Sequence, residues 1–267
     1  MSFSIEGKTA IVTGAANGVG LAIARHFVNK GANVMFADMD ETRLVKECGE
    51  NLSDESNMQY FVGDLRERLT LANLLSATLD AYDRVDVLVN GSRQMVVSDP
   101  LDLDDGSVEQ MINQNLMISL RLSQVVAKRM IKQAEGQDSG PVGAIVNLSS
   151  IAARHSHPEL LGYSVACAAL DQMTRSLAVA LAPERIRVNG VGFGSVMSSS
   201  LKQTLKEHSE YRRDIEEHTP LGRIAAPSEL AETVQFLASD AAGFMTGQVM
   251  TVDGGRTLLD PVAAPAH

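Results

Sequence analysis

The sequence predicts an α/β fold of the doubly wound type, in which helices cover both faces of a parallel seven-stranded sheet within a single domain. Short apolar runs alternate with helix-length periodic segments along the whole chain, which is the pattern of a parallel sheet with crossover helices. The runs are apolar along both faces, as expected for strands without a solvated side. A chain of 267 residues is long enough for one large core, and no repeat or linker divides it.

Seven apolar runs, most of them containing β-branched residues, are bounded by polar or turn-forming segments and are therefore assigned to strands. In chain order they are Thr9–Val12, Asn33–Ala37, Met58–Val62, Val85–Val89, Ala144–Leu148, Arg187–Gly192 and Gln248–Val252. The segments between them are long enough for crossover helices, so the strands are expected to be parallel.

Apolar residues at helical spacing predict the helices between the strands. One such face is formed by Leu21, Ala24, Phe27 and Val28, because residues three and four apart share a side of a helix. Ser107 and Gln110 make a capping-box pair, which predicts that a helix begins near Val108.

Two segments near the carboxyl terminus have a different character. Residues 198–218 mix lysines and arginines with glutamates, which predicts a solvated helical lid and names no ligand. The tail, residues 260–267, contains two prolines and three alanines, and it is expected to fray or to lie at an interface.

Composition argues against several classes of function. The 23 Lys and Arg against 33 Asp and Glu give a formal net charge of -10, which speaks against nucleic acid or an anionic membrane as the partner. Cys48 and Cys167 stand far apart, without the spacing of a disulfide framework or a zinc site, so we expect no metal. We also expect no signal peptide and no membrane span, and therefore a cytoplasmic protein.

A glycine-rich turn after the first strand predicts a nucleotide site. The segment Thr13–Gly20 reads Thr13-Gly14-Ala-Ala-Asn17-Gly18-Val19-Gly20 and opens the first helix, so its backbone can approach a pyrophosphate at a helix N-terminus. Asp38 ends the second strand, 18 residues after Gly20. A carboxylate there accepts hydrogen bonds from an adenosine ribose and repels a 2′-phosphate, which favours NAD over NADP. The alternative is a structural glycine turn beside a solvated aspartate.

Two further strand ends contribute candidate cofactor contacts. Asp64 and Leu65 follow the third strand, where the carboxylate either approaches the adenine amino group or only forms a turn. After the fourth strand come Asn90, Gly91, Ser92 and Arg93. The first three are small and permit close approach of a cofactor. Arg93 is interpreted either as a contact to phosphate or substrate or as a surface arginine.

A hydroxyl pair follows the fifth strand. Ser150 stands near the end of that strand and Tyr163 near the start of the next helix, at the edge where open parallel sheets bind ligands. One hydroxyl can donate a hydrogen bond to a substrate oxygen while the other carries its proton. A tyrosine with a pKa of about 10 needs a neighbouring positive charge to act near neutrality, yet one helical turn later stands Cys167.

Taken together, these motifs resemble the short-chain dehydrogenase/reductase family, whose fold is Rossmann-like, over Lys8 to Gly255. The resemblance implies NAD(P)-linked oxidation of a secondary alcohol or reduction of its ketone. It makes Tyr163 the acid/base, lets Ser150 orient the substrate oxygen, and lets Asn115 hold a water in a proton relay. It also implies a homo-oligomer, a tetramer or a dimer, that acts on a small molecule.

The resemblance also implies cofactor contacts from Tyr163 and from the loop after the sixth strand. The contacting residues of that loop are Gly194, Val196 and Ser198. Three residues on this nicotinamide side depart from the family's pattern. Cys167 stands where the family has a lysine that binds the nicotinamide ribose and depresses the tyrosine pKa. Arg93 and Phe193 stand where the family has a glycine and a proline.

Three interpretations stay open at this point. The protein is a dehydrogenase with weakened catalysis, or one in which Arg93 or Arg154 replaces the missing charge, or a catalytically silent NAD-binding homologue that works as a partner or regulatory subunit. We predict an NAD-dependent oxidoreductase and keep the silent homologue as the alternative. Cys167 is either a small buried residue or a reactive thiol, and His155 and His157 are further candidate proton carriers.

Overall fold

The computed structural model describes residues 2–49, 53 and 56–260, and all seven predicted strands are present within them. The strands are β1 (Thr9–Thr13), β2 (Asn33–Asp38), β3 (Met58–Val62), β4 (Val87–Asn90), β5 (Gly143–Ser150), β6 (Ile186–Phe193) and β7 (Val249–Val252). They form one parallel sheet in the order β3-β2-β1-β4-β5-β6-β7. The order reverses between β1 and β4, and at such a reversal open α/β sheets bind their ligands.

Helices connect the strands and cover both faces of the sheet, which confirms the predicted doubly wound fold. Those of the described residues are α1 (Gly18–Asn29), α2 (Glu41–Cys48), α3 (Arg68–Tyr82), α4 (Ser107–Met111), α5 (Ile118–Gln133), α6 (Leu161–Leu181), α7 (Ser199–Glu207), α8 (Glu210–Glu217) and α9 (Pro227–Ala238). A π-helical segment, Ile112–Met117, joins α4 to α5.

The strands are buried on both faces because consecutive residues of a strand point to opposite sides. Ile11 packs in the layer of α3, α5 and α6, whereas its neighbour Val12 packs in the layer of α1 and α9. Every residue of β1 and β4 is buried. The uninterrupted apolar runs of the sequence therefore correspond to a sheet that has no solvated face.

The start of α4 corrects the capping-box prediction. Ser107 is the first residue of the helix rather than its cap, and its hydroxyl donates to the hydroxyl oxygen of Ser98 at 2.8 Å. The carboxylate of Asp105 accepts a hydrogen bond from the Ser107 N–H at 2.6 Å. The capping box was wrong because it requires the serine in an extended conformation before the helix.

The predicted lid, residues 198–218, consists of two short helices, α7 and α8, instead of one. The break falls at His208 and Ser209, and most of the described side chains of α8 are exposed. The predicted tail falls almost entirely on residues 261–267, which lie outside the described residues.

The stretch 158–184, which contains α6, is long and apolar enough to cross a membrane by length and composition. The core helix of a soluble protein meets the same criteria, and α6 packs on β5 and β6. Ala166, Leu170 and Thr174 are among its buried residues. The apolar character of α6 is therefore explained by its contacts with the sheet.

Candidate functional site

A cleft of about 330 Å³ opens at the carboxyl edge of the sheet, at the reversal between β1 and β4. The β1–α1 turn, the ends of β2 and β3, and the loop after β4 form its walls. Its lining includes Gly14, Asn17, Gly18, Val19, Gly20, Asp38, Asp64, Leu65, Gly91, Ser92, Arg93 and Ser198. Most of the residues predicted to hold a cofactor thus meet in one cleft.

The glycines of the β1–α1 turn are required by close backbone contacts. A Cβ on Gly20 would lie 2.1 Å from the carbonyl oxygen of Gly14, and a Cβ on Gly14 would lie 2.7 Å from that of Gly91. Gly14 also has φ +70, a left-handed conformation that favours glycine. The turn therefore packs closely against both the start of α1 and the loop after β4, and no side chain of these glycines fills the cleft.

The N-terminus of α1 faces this turn without a side-chain cap. Asn17 is the N-cap residue, and its side chain makes no capping hydrogen bond. The first N–H groups of a helix lack partners inside the helix, and together with the helix dipole they favour an anion. This end of α1 fits the pyrophosphate that the glycine motif predicts.

Thr13 is a site residue whose role the sequence did not reveal. Its hydroxyl oxygen accepts hydrogen bonds from the Gly91 N–H at 3.0 Å and from the Ser92 N–H at 3.1 Å. Thr13 thereby ties the end of β1 to the loop after β4, on either side of the sheet's reversal. A threonine directly before the first glycine was the available signal.

Asp38 lies at the end of β2, where it lines the cleft. One carboxylate oxygen accepts from the Ala16 N–H at 3.0 Å, and the other accepts from Met39 N–H at 2.8 Å and Asp40 N–H at 3.1 Å. Each carboxylate oxygen has two lone-pair sites, so these bonds leave capacity for a ribose hydroxyl. They also hold the carboxylate in a fixed position against the glycine turn.

Asp64 and Asn90 make internal contacts. The Arg66 guanidinium lies 2.6 Å from the Asp64 carboxylate and lowers the pKa of that carboxyl. Asn90 is buried, and its amide donates to the Asn147 side-chain oxygen at 2.8 Å and to the Ser123 hydroxyl at 3.0 Å. Asp64 still lines the cleft, whereas the Asn90 amide holds β4 to β5 and α5.

The predicted hydroxyl pair is brought together beside this cleft. Tyr163 is buried near the start of α6, and the hydroxyl of Ser150, at the end of β5, is one of the groups that lower the pKa of the Tyr163 hydroxyl. The Ser150 oxygen also accepts from the Ala152 N–H at 3.1 Å. A positive charge is present as well, because Arg93 donates from Nη1 to the Tyr163 hydroxyl oxygen at 2.9 Å.

Cys167 lies one turn after Tyr163 in α6 and is buried with it. Burial raises the pKa of Cys167 to about 11, so the thiol is neutral near pH 7. Burial also raises the pKa of Tyr163, and the positive charge of Arg93 is the largest influence in the opposite direction. Of the two interpretations of Cys167, the small buried residue agrees with this environment.

We expect both cysteines to resist alkylation in the folded protein. Burial raises the pKa of Cys48 and of Cys167 to about 11, and the thiolate is the reacting species. The thiolate fraction at pH 8 is then about 0.1 %, and it rises only as the pH approaches 11. Iodoacetamide at pH 8 should leave the intact mass unchanged until urea is added. Rapid modification of the native chain would contradict the burial of these thiols.

The other candidate cation and proton carriers lie elsewhere. Arg154 is exposed, and its guanidinium donates to the Thr251 hydroxyl at 3.3 Å. His155 and His157 are exposed in the loop before α6, and the His157 ring accepts from the Glu159 N–H at 3.3 Å. Of the two arginines that the sequence left open, the structure thus places Arg93 at the Tyr163 hydroxyl.

Asn115 lies in the π-helical segment between α4 and α5, where it is buried. Its side-chain oxygen accepts from the Gln94 N–H at 2.8 Å, and its amide donates to the Gln94 carbonyl at 2.9 Å. Both bonds fix the chain directly after Arg93. The water relay that the resemblance implies stays a prediction.

The loop after β6 begins beside Ser150, because Ser150 and Phe193 are paired at the ends of β5 and β6. Phe193 is buried, Gly194 packs so closely that a Cβ would lie 2.9 Å from the Ile151 side chain, and Val196 is buried. The Ser198 hydroxyl oxygen accepts from the Leu201 N–H at 3.2 Å, which caps α7. Ser198 lines the nucleotide cleft, so it connects that cleft to the lid.

Comparisons with known proteins cover nearly the whole chain. Residues 14–257 match a family model described as enoyl-(acyl carrier protein) reductase. An uncharacterized oxidoreductase of Thermotoga maritima is 34% identical, over 95% of this chain and 97% of that protein. The 3-oxoacyl-(acyl-carrier-protein) reductase FabG of the same organism is 32% identical, over 95% of this chain and 99% of that protein.

Solved structures show the same likeness in three dimensions. A 7α-hydroxysteroid dehydrogenase complexed with NADH and 7-oxo glycochenodeoxycholic acid has a TM-score of 0.86 and 29% identity, over 95% of this chain and 96% of that chain. A putative gluconate dehydrogenase of Agrobacterium tumefaciens has a TM-score of 0.87 and 26% identity, over 97% and 99%. The residues that match the family model, 14–257, include both the glycine turn of the cleft and the Ser150–Tyr163 pair.

Proposed function

The chain belongs to the short-chain dehydrogenase/reductase family, and we propose that it is an NAD-dependent oxidoreductase that interconverts a secondary alcohol and a ketone. The observation that carries the proposal is the Ser150–Tyr163 hydroxyl pair with Arg93, whose side chain also lines the nucleotide cleft. This arrangement supplies a proton carrier and an oxygen-binding hydroxyl beside a site suited to a dinucleotide.

The residues of the cleft fit a dinucleotide. The turn at Gly14 and Gly20 has no room for a side chain, the N-terminus of α1 lacks a side-chain cap, and the Asp38 carboxylate is held at the edge of the cleft. The glycine turn and the N-terminus of α1 would hold a pyrophosphate, and Asp38 would hold an adenosine ribose.

Ser150 and Tyr163 hold and move the proton of the reaction. In the oxidation, Ser150 donates a hydrogen bond to the substrate oxygen, and Tyr163 as phenolate takes the proton of the alcohol. NAD, which the β1–α1 turn and Asp38 would hold, would supply the acceptor for the hydride on the carbon that bears this oxygen. In the reduction, the Tyr163 hydroxyl returns the proton to the carbonyl oxygen.

We expect the catalysis to be weaker than in relatives that keep the lysine. Cys167 stands at the position where the family resemblance places that lysine, and its thiol is neutral because burial raises its pKa to about 11. Burial also raises the pKa of Tyr163, so less phenolate is present near pH 7. The oxidation should therefore accelerate as the pH rises.

The direct test is NADH formation with a panel of secondary alcohols between pH 7 and 10, by the wild type and by Cys167→Lys. We expect turnover by the wild type that increases with pH. No turnover by either protein would contradict the proposed function. Turnover by Cys167→Lys alone would favour the silent NAD-binding homologue that acts as a partner or regulatory subunit.

The preference for NAD is proposed on the basis of Asp38. The wild type should bind NADH more tightly than NADPH, because the carboxylate repels a 2′-phosphate. Asp38→Asn keeps an acceptor for the Ala16 N–H and removes the charge, so it should raise the NADPH affinity relative to NADH about tenfold, which is about 1.4 kcal/mol. Fluorescence titrations with both cofactors measure this ratio.

Asp64→Asn is the matched control, since Asp64 lines the same cleft but is paired with Arg66. Its NADH-to-NADPH ratio should stay near that of the wild type. Tighter binding of NADPH than NADH by the wild type would show that Asp38 does not select the cofactor.

We also propose that the protein is a homo-oligomer, a tetramer or a dimer, and that it acts in the cytoplasm on a small-molecule substrate. Val165 and Val179 of α6 are 39% and 78% exposed, and Phe244, before the edge strand β7, is fully exposed. An interface between subunits buries apolar side chains of this kind. The two free cysteines agree with a reducing compartment.

A further inference from the structure

Arg93 is held by contacts with three different parts of the fold. Its Nη1 donates to the Tyr163 hydroxyl at 2.9 Å and to the Ser149 carbonyl at 3.4 Å. Its guanidinium lies over the Phe193 ring, 4.2 Å from the ring centroid. Contacts with α6, β5 and β6 together hold the long arginine side chain in a defined position relative to the Tyr163 oxygen.

We propose that Arg93 is a catalytic residue of this protein and supplies the positive charge that Tyr163 needs to exchange protons with the substrate. The proposal rests on the proposed function and identifies a residue that the family resemblance does not. An arginine from the loop after β4 takes the place of a lysine from α6. Its guanidinium contacts the Tyr163 hydroxyl directly.

The charges around Tyr163 leave this role to Arg93. Among the described residues, the groups that influence the Tyr163 hydroxyl are Arg93, the Cys167 thiol and the Ser150 hydroxyl, and of these only Arg93 is a cation. Asp171, one turn beyond Cys167, is a buried acid whose pKa is raised by desolvation. Arg154 faces Asp171 and Thr251 rather than Tyr163. Arginine keeps its charge at all relevant pH values.

The three departures from the family's pattern form one contact group around Tyr163. Arg93 touches the tyrosine oxygen, Phe193 offers its ring face to the guanidinium, and Cys167 packs with Tyr163 from within α6. A cation over an aromatic face is attracted by the ring, so Phe193 holds Arg93 where a proline would not. A second cation at position 167 would repel Arg93, whereas a neutral thiol does not.

Arg93 acts on the proton step as follows. The alcohol O–H bond breaks as its proton passes to the Tyr163 phenolate, and the carbon–oxygen double bond forms as the hydride leaves to NAD. The Arg93 N–H donates to the phenolate before this step and to the neutral phenol after it. A hydrogen bond to the charged form favours that form, so Arg93 raises the phenolate fraction at a given pH.

The test compares the wild type with Arg93→Gln, which keeps an N–H donor and removes the charge, and with Arg93→Lys, which keeps the charge. The pH profile of kcat for alcohol oxidation should shift upward in Arg93→Gln by about one to three units, so that kcat at pH 7 falls about tenfold or more. The KM for the alcohol should change little. Arg93→Lys should recover part of the loss.

A second readout does not depend on turnover. The ring carbon that bears the hydroxyl of Tyr163 can be followed by carbon NMR, with Tyr163→Phe to assign its signal among the 4 tyrosines. Its titration should move to higher pH in Arg93→Gln. The double variant Arg93→Gln/Cys167→Lys should move it back, because the lysine restores a positive charge beside the ring.

Arg154→Gln is the matched control and should leave the Tyr163 titration and the kcat profile unchanged. The proposal is overturned if Arg93→Gln titrates like the wild type, or if Arg154→Gln shifts Tyr163 as much as Arg93→Gln does. If the wild type oxidises no alcohol, the proposed function fails, and the NMR titration still decides whether Arg93 sets the ionisation of Tyr163.

Discussion

Tyr163→Phe is expected to lower kcat/KM for NAD-linked alcohol oxidation by about 10²- to 10⁴-fold, the usual contribution of a positioned acid or base. The substitution removes one oxygen atom from a buried side chain and leaves the ring that packs with Met111, Ala166 and Cys167. The fold should therefore persist, while the proton of the substrate loses its acceptor. Initial rates of NADH formation, with circular dichroism to confirm folding, measure the effect.

Tyr211→Phe is the control for this substitution, because Tyr211 lies in α8 and is 44% exposed. We expect it to retain the wild-type rate. If Tyr163→Phe retained that rate as well, Tyr163 would not be the acid/base, and the Ser150–Tyr163 pair would have to be interpreted as structural.

Gly20→Ala is expected to abolish tight binding of the dinucleotide. The added Cβ would lie 2.1 Å from the Gly14 carbonyl oxygen and 2.7 Å from its carbon, and both are backbone atoms that cannot turn away. The turn and α1 must therefore separate, which changes the place where the pyrophosphate would bind. We expect NADH affinity to fall at least about tenfold and the free energy of unfolding to fall by about 1–3 kcal/mol, as in other overpacked sites.

Gly106→Ala is the control for Gly20→Ala, since a Cβ there meets no atom within 4 Å and the φ of Gly106 is -80. It should change both quantities only slightly. NADH fluorescence titration and urea unfolding give the two values. Wild-type affinity in Gly20→Ala would contradict the placement of the pyrophosphate at this turn.

The fold was predictable because its signals are local. A strand that is buried on both faces needs an apolar residue at nearly every position, and β1 and β4 show this directly in the sequence. The β1–α1 turn was predictable for the same reason, since Gly14 and Gly20 meet each other within a few residues. The capping box at Ser107 failed because an upstream side chain, Asp105, binds the Ser107 N–H, which the Gln110 side chain would bind in a capping box.

The sequence by itself determined the parallel sheet, the glycine turn with Asp38 at the next strand end, and the candidacy of Ser150 and Tyr163. Only the tertiary structure decided between Arg93 and Arg154 and joined Arg93, Phe193 and Tyr163 in one contact group. The reason is the strand order, which places the ends of β4, β5 and β6 side by side. Along the chain, the end of β4 lies about 60 residues before the end of β5 and still further from the end of β6. Spacing along the sequence carries no signal for such contacts, because they depend on how the sheet brings distant strand ends together.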